Sequence, residues 1–449
     1  MARSRFGAVA VDMGASSARF ATGRLDKGKI TYEVVEQLTH GPVEGKWDHD
    51  LLNGLCHRAV EHALANFEKA TVGIDTWGVD HGFLNTSGKL VQPPVAYRDE
   101  SHTRAFDAMV GHRKRLFELT GIQHQPFNTI YQLSARRCEH PDWPETARWQ
   151  LLPDLFGHDL SKRLHYEYTQ CSTSQLMGLD GKWSEEAFAI AGWPVPLQQP
   201  KLPGRIVGPI VPGVDLASVA SHDTASAVCG LGTMGEEDVF LNIGTWTLLG
   251  TVIDKPLVSA TAESGGWTNE RTHDGRVRFL KNIPGFYIIN RLHDEIGIEE
   301  PIPEWLAMAD FGFEGRFDYL DRELYNPESM SVEVLERATK TPTRKEHWAA
   351  MSLRSLAEAM LDQPSALGEL VGRQFSRIRV AGGGSQNPFL CQTLADGTGL
   401  QVVAGPVEAT VLGNLGVQMV AAGEISADEL AGVLDASSET RTYEPGARL

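Results

Sequence analysis

FGAVAVDMGASSAR, residues 6–19, sets a short apolar run against a turn of small and hydroxylated residues. The run 6–11 reads as a buried strand, and Asp12-Met-Gly14 closes it. Residues 19–25 and 30–35 read as two further strands joined across Asp26-Lys-Gly28, a hairpin pattern. Phosphate oxygens need donors that approach closely. Gly14 carries no Cβ to block that approach, and Ser16 and Ser17 add hydroxyl donors beside Ala15 and Ala18. Asp12, at a strand end, can hold Mg2+ through its waters, because this ion prefers oxygen ligands and keeps several waters. The same letters would also serve a plain hairpin turn that binds nothing.

Working outward, Asp48 caps an expected helix whose apolar stripe is Leu51, Leu55, Ala59 and Ala63. A buried strand over 71–74 runs into Asp75-Thr-Trp-Gly-Val-Asp80. Trp77, Gly78 and Asp80 thus follow a strand end, where open α/β sheets bind ligands, although a core Trp and a turn Asp would look alike. Residues 100–215 are rich in Pro, Trp and His, with helices expected at 101–111, 129–138 and 155–164.

Near residue 220 the α/β pattern resumes. An apolar run at 213–220 leads to Ser221-His222-Asp223-Thr224 and a small-residue helix over 225–232. An Asp at such a junction caps the helix or serves as a base that takes a proton from a substrate hydroxyl. A strand at 239–243 ends in Gly244-Thr245 and returns over 246–252, which repeats the turn at Asp12. A strand at 378–381 runs into Gly382-Gly383-Gly384-Ser-Gln-Asn387 and then a helix. Two copies of one strand-turn-strand device point to two like domains, and the division expected is 1–229 and 230–449.

Other classes fall away. Of 449 residues, 42% are apolar and no run approaches the ~18 needed to cross a membrane, so no membrane partner is expected. The net charge of −17 disfavours nucleic acid and anionic surfaces, and it leaves phosphate to backbone N–H groups, helix ends and a metal. Five scattered cysteines without a C-x-x-C pair suit a reducing cytoplasm. There is no P-loop motif. GLGTMG at 230–235 fits the dinucleotide pattern in letters only, since it follows a helix and precedes a strand.

Taken in order along the chain, VDMGASSAR (11–19), GIDTWGVD (73–80), PPVAYRDE (93–100), PFNTIYQL (126–133), VASHDTASAV (219–228), LKNIPG (280–285), VAGGGSQNP (380–388) and AGPVEATVLGNLGVQM (404–419) resemble the FGGY carbohydrate kinases, and within them the L-rhamnulose kinase branch. The resemblance implies an α/β fold of two actin-like, ribonuclease-H-like domains about a cleft, with ATP and Mg2+ as cofactors and a ketose as substrate. The reaction implied is phosphorylation of L-rhamnulose at its 1-hydroxyl by a cytoplasmic monomer or homodimer. Alternatives are L-fuculose or a ketopentose as substrate, or a catalytically silent sugar-binding protein of the same fold.

By that resemblance Asp223 is the proton acceptor, and Gly78, His222, Thr224 and Asn282 match sugar-site positions, with Trp77 and Asp80 beside them. Gly14, Ala15, Ser16, Ser17, Ala18 and Thr245 match phosphate contacts, and Gly383 and Gly384 lie near adenosine. Four departures stand out. Ala18 replaces a glycine. Ile243 stands where a Ser is common. Asn290 occupies the place of a Gln near ATP, and His81 stands where a Phe follows TWGVD. If His81 lines the pocket, its polar edge would favour a hydroxyl over a methyl group; on a strand, where neighbours face opposite ways, the same side chain would equally point into the core and never meet sugar.

Overall fold

The computed structural model describes residues 4–325 and 327–446, which form two compact units. The first comprises residues 1–234, 252–279 and 408–438. The second comprises 235–251, 280–407 and 439–449. This division is not a single cut near residue 229, because two later segments return to the first unit. The segment 408–438 returns because its helix Ala409–Ala422 is apolar nearly all round. That helix buries Val411, Leu412, Leu415 and Met419 against Ala8, Ala10, Ala21 and Val219.

The first unit is built on strands β1 (Ser4–Met13), β2 (Ser17–Asp26), β3 (Lys29–Thr39) and β4 (Phe67–Thr76), a small ribbon of β5 (His81–Asn85) and β6 (Ala147–Leu151), and strands β7 (Arg205–Val211) and β8 (Val214–Ser218). The main sheet runs in the order β3-β2-β1-β4-β8-β7. β1, β2 and β3 pair antiparallel, β4 lies parallel to β1, and β8 lies parallel to β4. The helix over 51–63 forms as His49–Asn66, with Asp48 Oδ1 accepting from Leu51 N at 3.0 Å. Between residues 100 and 203 short helices enclose a separate aromatic core that includes Phe83, Tyr131, Trp149, Trp183 and Phe188.

The second unit repeats the plan. Its strands are β9 (Asp238–Ile243), β10 (Trp246–Ile253) as far as Thr251, β12 (Val277–Pro284) from Leu280 on, β13 (Arg377–Ala381), β14 (Gln401–Ala404) and β15 (Arg441–Tyr443), while β11 (Trp267–Arg271) and the start of β12, with Arg278, belong to the first unit. They lie in the order β12-β10-β9-β13-β14-β15, with β9 antiparallel to β10 and parallel to β13. An antiparallel hairpin followed by a parallel strand thus occurs twice, as the repeated turn led one to expect. Among the described residues no helix is long and apolar enough to cross a membrane.

Candidate active site

Strand register builds the centre of the first unit. β1 and β2 pair with Asp12 opposite Arg19, and β1 and β4 pair with Asp12 opposite Asp75. Arg19 Nη2 stands 2.8 Å from Asp12 Oδ2 and 2.6 Å from Glu408 Oε2. Asp75 is wholly buried, and Asn414 Nδ2 donates to its Oδ2 at 2.5 Å, while Oδ1 has no hydrogen-bond partner among the described residues. Burial, with the neighbouring Asp12 charge, pushes the Asp75 carboxyl well up.

At the end of β4 the chain Ser221-His222 extends the sheet. Thr76 N donates to Ser221 O at 2.9 Å, and Thr76 bridges His222. Glu167, fully buried, fixes this turn. Its carboxylate accepts from Ser221 N and from Thr169 Oγ1, whose oxygen accepts from His222 N. The helix Asp223–Gly230 then begins on the predicted base. Asp223 Oδ1 accepts from Thr224 N and Thr224 Oγ1, and His222 Nε2 stands 3.4 Å from it. Oδ2 has no hydrogen-bond partner among the described residues, and the side chain keeps 28% of its surface accessible. Burial and the Asp12 charge raise the Asp223 carboxyl, while His222 and Thr224 oppose them.

Gly78 faces His222: a Cβ there would stand 3.3 Å from His222 Nε2 and from Thr173. The next residue, Val79, has φ of 70°, a left-handed backbone that a β-branched side chain rarely adopts. Thr173 Oγ1 accepts from Val79 N, and Thr129 Oγ1 donates to Val79 O at 2.7 Å. Strain held this firmly is typical of ligand clamps.

Trp77 and Asp80 correct the expectation. Asp80 is wholly buried and accepts from Trp47 Nε1, Trp77 Nε1, Gln132 Nε2 and Tyr97 N. Burial raises it to about 7, opposed by these donors. The two residues brace the 76–80 turn from inside, Asp80 with no exposed surface and Trp77 with 6%. Ala18 is likewise fully buried, so no side-chain contact with phosphate is open to it. Gly14, Ala15, Ser16 and Ser17 line the β1–β2 turn, where Ser16 is exposed and Gly14 N donates to Ser17 O. His81 is 4% exposed, packs edge-on against Phe83 and Trp149, and has no hydrogen-bond partner for either ring nitrogen among the described residues.

The second unit carries its own turn. Gly244 N donates to Trp246 O in the tight β9–β10 hairpin. The carbonyls of Gly244 and Thr245 accept from Gly285, Phe286 and Tyr287 N, so they cap the helix Phe286–Glu295, which bears Asn290. Asn282, half-buried, lies on β12. Of the glycine run, Gly382 and Gly384 answer to packing: a Cβ on either would come within 2.7 Å of Ile243. Gly383 is exposed, with nothing closer than 3.8 Å to a Cβ.

Sequence reasoning missed Glu167, Glu270 and Arg278, which sit in no motif, and gave no role to Glu408 and Asn414 within the segment 404–419. The positive φ of Val79 also has no local signal, since no turn rule puts valine there.

Residues 338–422 match the FGGY family of carbohydrate kinases, C-terminal domain. The whole chain is similar to the ligand-bound xylulose kinase from Lactobacillus acidophilus (TM-score 0.82, 15% identity, 98% of this chain and 94% of that one). It is also similar to the gluconate kinase from Lactobacillus acidophilus (0.80, 15%, 99% and 94%) and to the Plasmodium falciparum glycerol kinase with ADP (0.78, 14%, 99% and 95%). The family match thus rests on residues 338–422, and the likeness to these kinases over nearly the whole chain is one of fold, a mixed α/β fold of actin-like, ribonuclease-H-like domains.

Proposed function

We propose that the chain transfers the γ-phosphoryl group of ATP to the 1-hydroxyl of a ketose, with L-rhamnulose the first candidate and Asp223 the general base. The observation that carries this is the two-sided Asp223 carboxylate. Oδ1 is filled by Thr224 and flanked by His222, whereas Oδ2 is free on an accessible edge. A sugar hydroxyl held against Oδ2 can pass its proton to the carboxylate as it attacks phosphorus, a contribution of typically ~10²–10⁴-fold. Thr224 and His222 stand at Oδ1, Gly78 faces His222, and on the resemblance the three are assigned to hold the sugar. Asn282, on the second unit, is assigned to the sugar on the resemblance alone.

ATP is assigned to the hydroxyls of Ser16, Ser17 and Thr245, to Gly383, and to Asn290. The similar glycerol kinase was solved with ADP. Mg2+, when bound with ATP, would neutralise the phosphate charge. Among the described residues no three His, Cys, Asp or Glu side chains cluster as a metal cage. The Asp12–Asp75 pair, with one buried oxygen unpartnered, instead suits an ion that keeps its waters and takes one carboxylate, and Asp12 is the residue that would hold it. A reducing cytoplasm suits the five free cysteines, four of them buried.

ADP release measured over L-rhamnulose, L-fuculose, L-ribulose, D-xylulose and glycerol tests the assignment. Turnover is expected to depend on a ketose and to be fastest with L-rhamnulose. Asp223→Asn should lower kcat by ~10²–10⁴-fold and leave ATP binding intact. Release that is indifferent to sugar, or a variant retaining more than about a tenth of the wild-type kcat, would exclude Asp223 as the base. A ketopentose stands second, since a xylulose kinase is among the similar structures.

A further inference from the structure

Behind His222 lies a buried ion pair that no motif announces. Arg278, on β12, has no exposed surface, and its Nη2 stands 3.0 Å from Glu270 Oε2 on β11. The same Nη2 stands 3.0 Å from His222 Nδ1, and Arg278 Nε donates to Arg271 O at 2.9 Å. On its other side His222 Nε2 faces Asp223 Oδ1 at 3.4 Å. A chain of contacts thus runs from Glu270 through Arg278 and His222 to the carboxylate assigned as base.

We propose that Arg278, charge-compensated by Glu270, is a positioning residue that locks His222 with its hydrogen on Nε2, aimed at Asp223 Oδ1, so that Oδ2 alone remains free to accept the substrate proton. The inference rests on the reading of Asp223 as base.

Guanidinium has only donors and does not lose its proton in proteins. A ring nitrogen that meets it at hydrogen-bond distance must therefore accept, and the hydrogen of the neutral ring then sits on Nε2. Glu270 Oε2 is 3.3 Å from Nδ1 but forms no hydrogen bond of good geometry, so the competing arrangement, Nδ1–H donating to Glu270, is the poorer one. Glu270 serves the guanidinium's charge, which no water reaches. Backbone contacts hold the ring's root from the other side through Thr169 and Glu167. With Thr224 N, Thr224 Oγ1 and His222 Nε2 all on Oδ1, the carboxylate cannot turn without losing three partners.

Stability alone does not account for the pair. Buried ion pairs are often replaced by apolar residues of similar volume at no loss of stability. Arg278 Nη1 is also left buried with no hydrogen-bond partner among the described residues, which costs stability.

The test is the double variant Glu270→Leu/Arg278→Met, which removes donor and counter-charge together, alongside Arg278→Lys, which keeps a donor. In 15N-histidine spectra, assigned by difference against His222→Gln, wild-type His222 should show an unprotonated Nδ1 and a protonated Nε2. The double variant should show a mixture of the two tautomers. Its melting temperature should stay near wild type, kcat should fall about 10-fold or more, and KM for ATP should hold. Arg278→Lys should recover part of kcat. The acid limb of the pH–kcat profile should move to higher pH in the double variant, because His222 no longer directs a donor at Asp223. Asp12, Asp75 and Glu167, the other charged groups facing Asp223 and Arg278, are the same in both proteins.

A protonated Nδ1 in wild type would overturn the proposal, as would a folded double variant with wild-type kcat and an unmoved acid limb. If the double variant does not fold, the wild-type and Arg278→Lys spectra decide alone. Wild-type protein that phosphorylates no sugar would sink the kinase reading while the spectra still report the tautomer.

Discussion

At the scale of single residues, His81 separates sequence identity from chemical role. The departure from Phe invited a polar sugar contact, yet the side chain is 4% exposed among Phe83 and Trp149, with both nitrogens unsatisfied. Burial, with the charges of His102 and Arg136 nearby, lowers its pKa to about 3. His81→Phe should leave the order of kcat/KM among L-rhamnulose, L-fuculose and L-ribulose unchanged. It should also stabilise the protein by about 1–3 kcal/mol, the cost of unpaired buried polar groups. The sign of the pH effect follows. The folded pKa lies below the unfolded value near 6.5, so the unfolded state binds more protons between about 3 and 6.5, and wild-type stability declines as pH falls through that range. The gain in melting temperature should therefore be larger at pH 5 than at pH 8. A reordered sugar preference would put His81 back at the substrate, and an equal gain at both pH values would rule out its neutral burial.

At the scale of elements, the helix carrying Asp223 is aimed by a crossing made of glycines. A Cβ at Gly413, on Ala409–Ala422, would lie 1.9 Å from Ser226 O, and one at Gly230 would lie 2.0 Å from Ala409 O. Backbone meets backbone there, so neither contact can give by moving a side-chain tip. Gly413→Ala should push the helix Asp223–Gly230 off the sheet, costing about 1–3 kcal/mol as overpacking does. It should lower kcat more than KM for ATP, because the displaced helix is the one that begins on the base. Melting and steady-state kinetics on one preparation check both halves, and wild-type stability with wild-type kcat would show that the crossing can relax.

These elements also mark how far the letters could be read. Strand 6–11, the hairpin after it, the Asp48 cap and the Gly244 turn are legible because apolar runs, Gly turns and capping chemistry are local. The pairing of Asp12 with Arg19 and Asp75 was not, because register is set by the whole sheet. The ion pair of Glu270 and Arg278 depends on two strands folding over His222, and nothing in TNER or VRF announces it. Trp77 and Asp80 were assigned outward because a strand end suggests a ligand. Four donors converging inside the protein turned them inward instead.

At the scale of the whole molecule, sequence order and compact units part company, and this has a consequence for dissection. A fragment of residues 1–229, the domain that the repeated turn suggests, would keep β1 through β8 but lose the helix Ala409–Ala422. Ala8, Ala10, Ala21, Val219 and Cys229 would then face solvent in place of Val411, Leu412 and Leu415. Asp75 would lose the Asn414 donor, and Val9 O would lose Gln418. His222 would lose Arg278. An apolar surface of this kind, beside a buried carboxylate without a donor, favours association over a stable monomer. Residues 1–229 expressed alone should therefore aggregate or melt without a cooperative transition. A peptide of residues 408–438 added in trans should bind the fragment and raise its soluble, helical fraction, since it restores both the cover and the Asn414 contact. Size-exclusion chromatography and thermal circular dichroism of the fragment, with and without peptide, read this directly. A soluble, cooperatively melting monomer from 1–229 alone would show that the helix is dispensable to the first unit. The glycine crossing that aims Asp223 would then be unnecessary for folding.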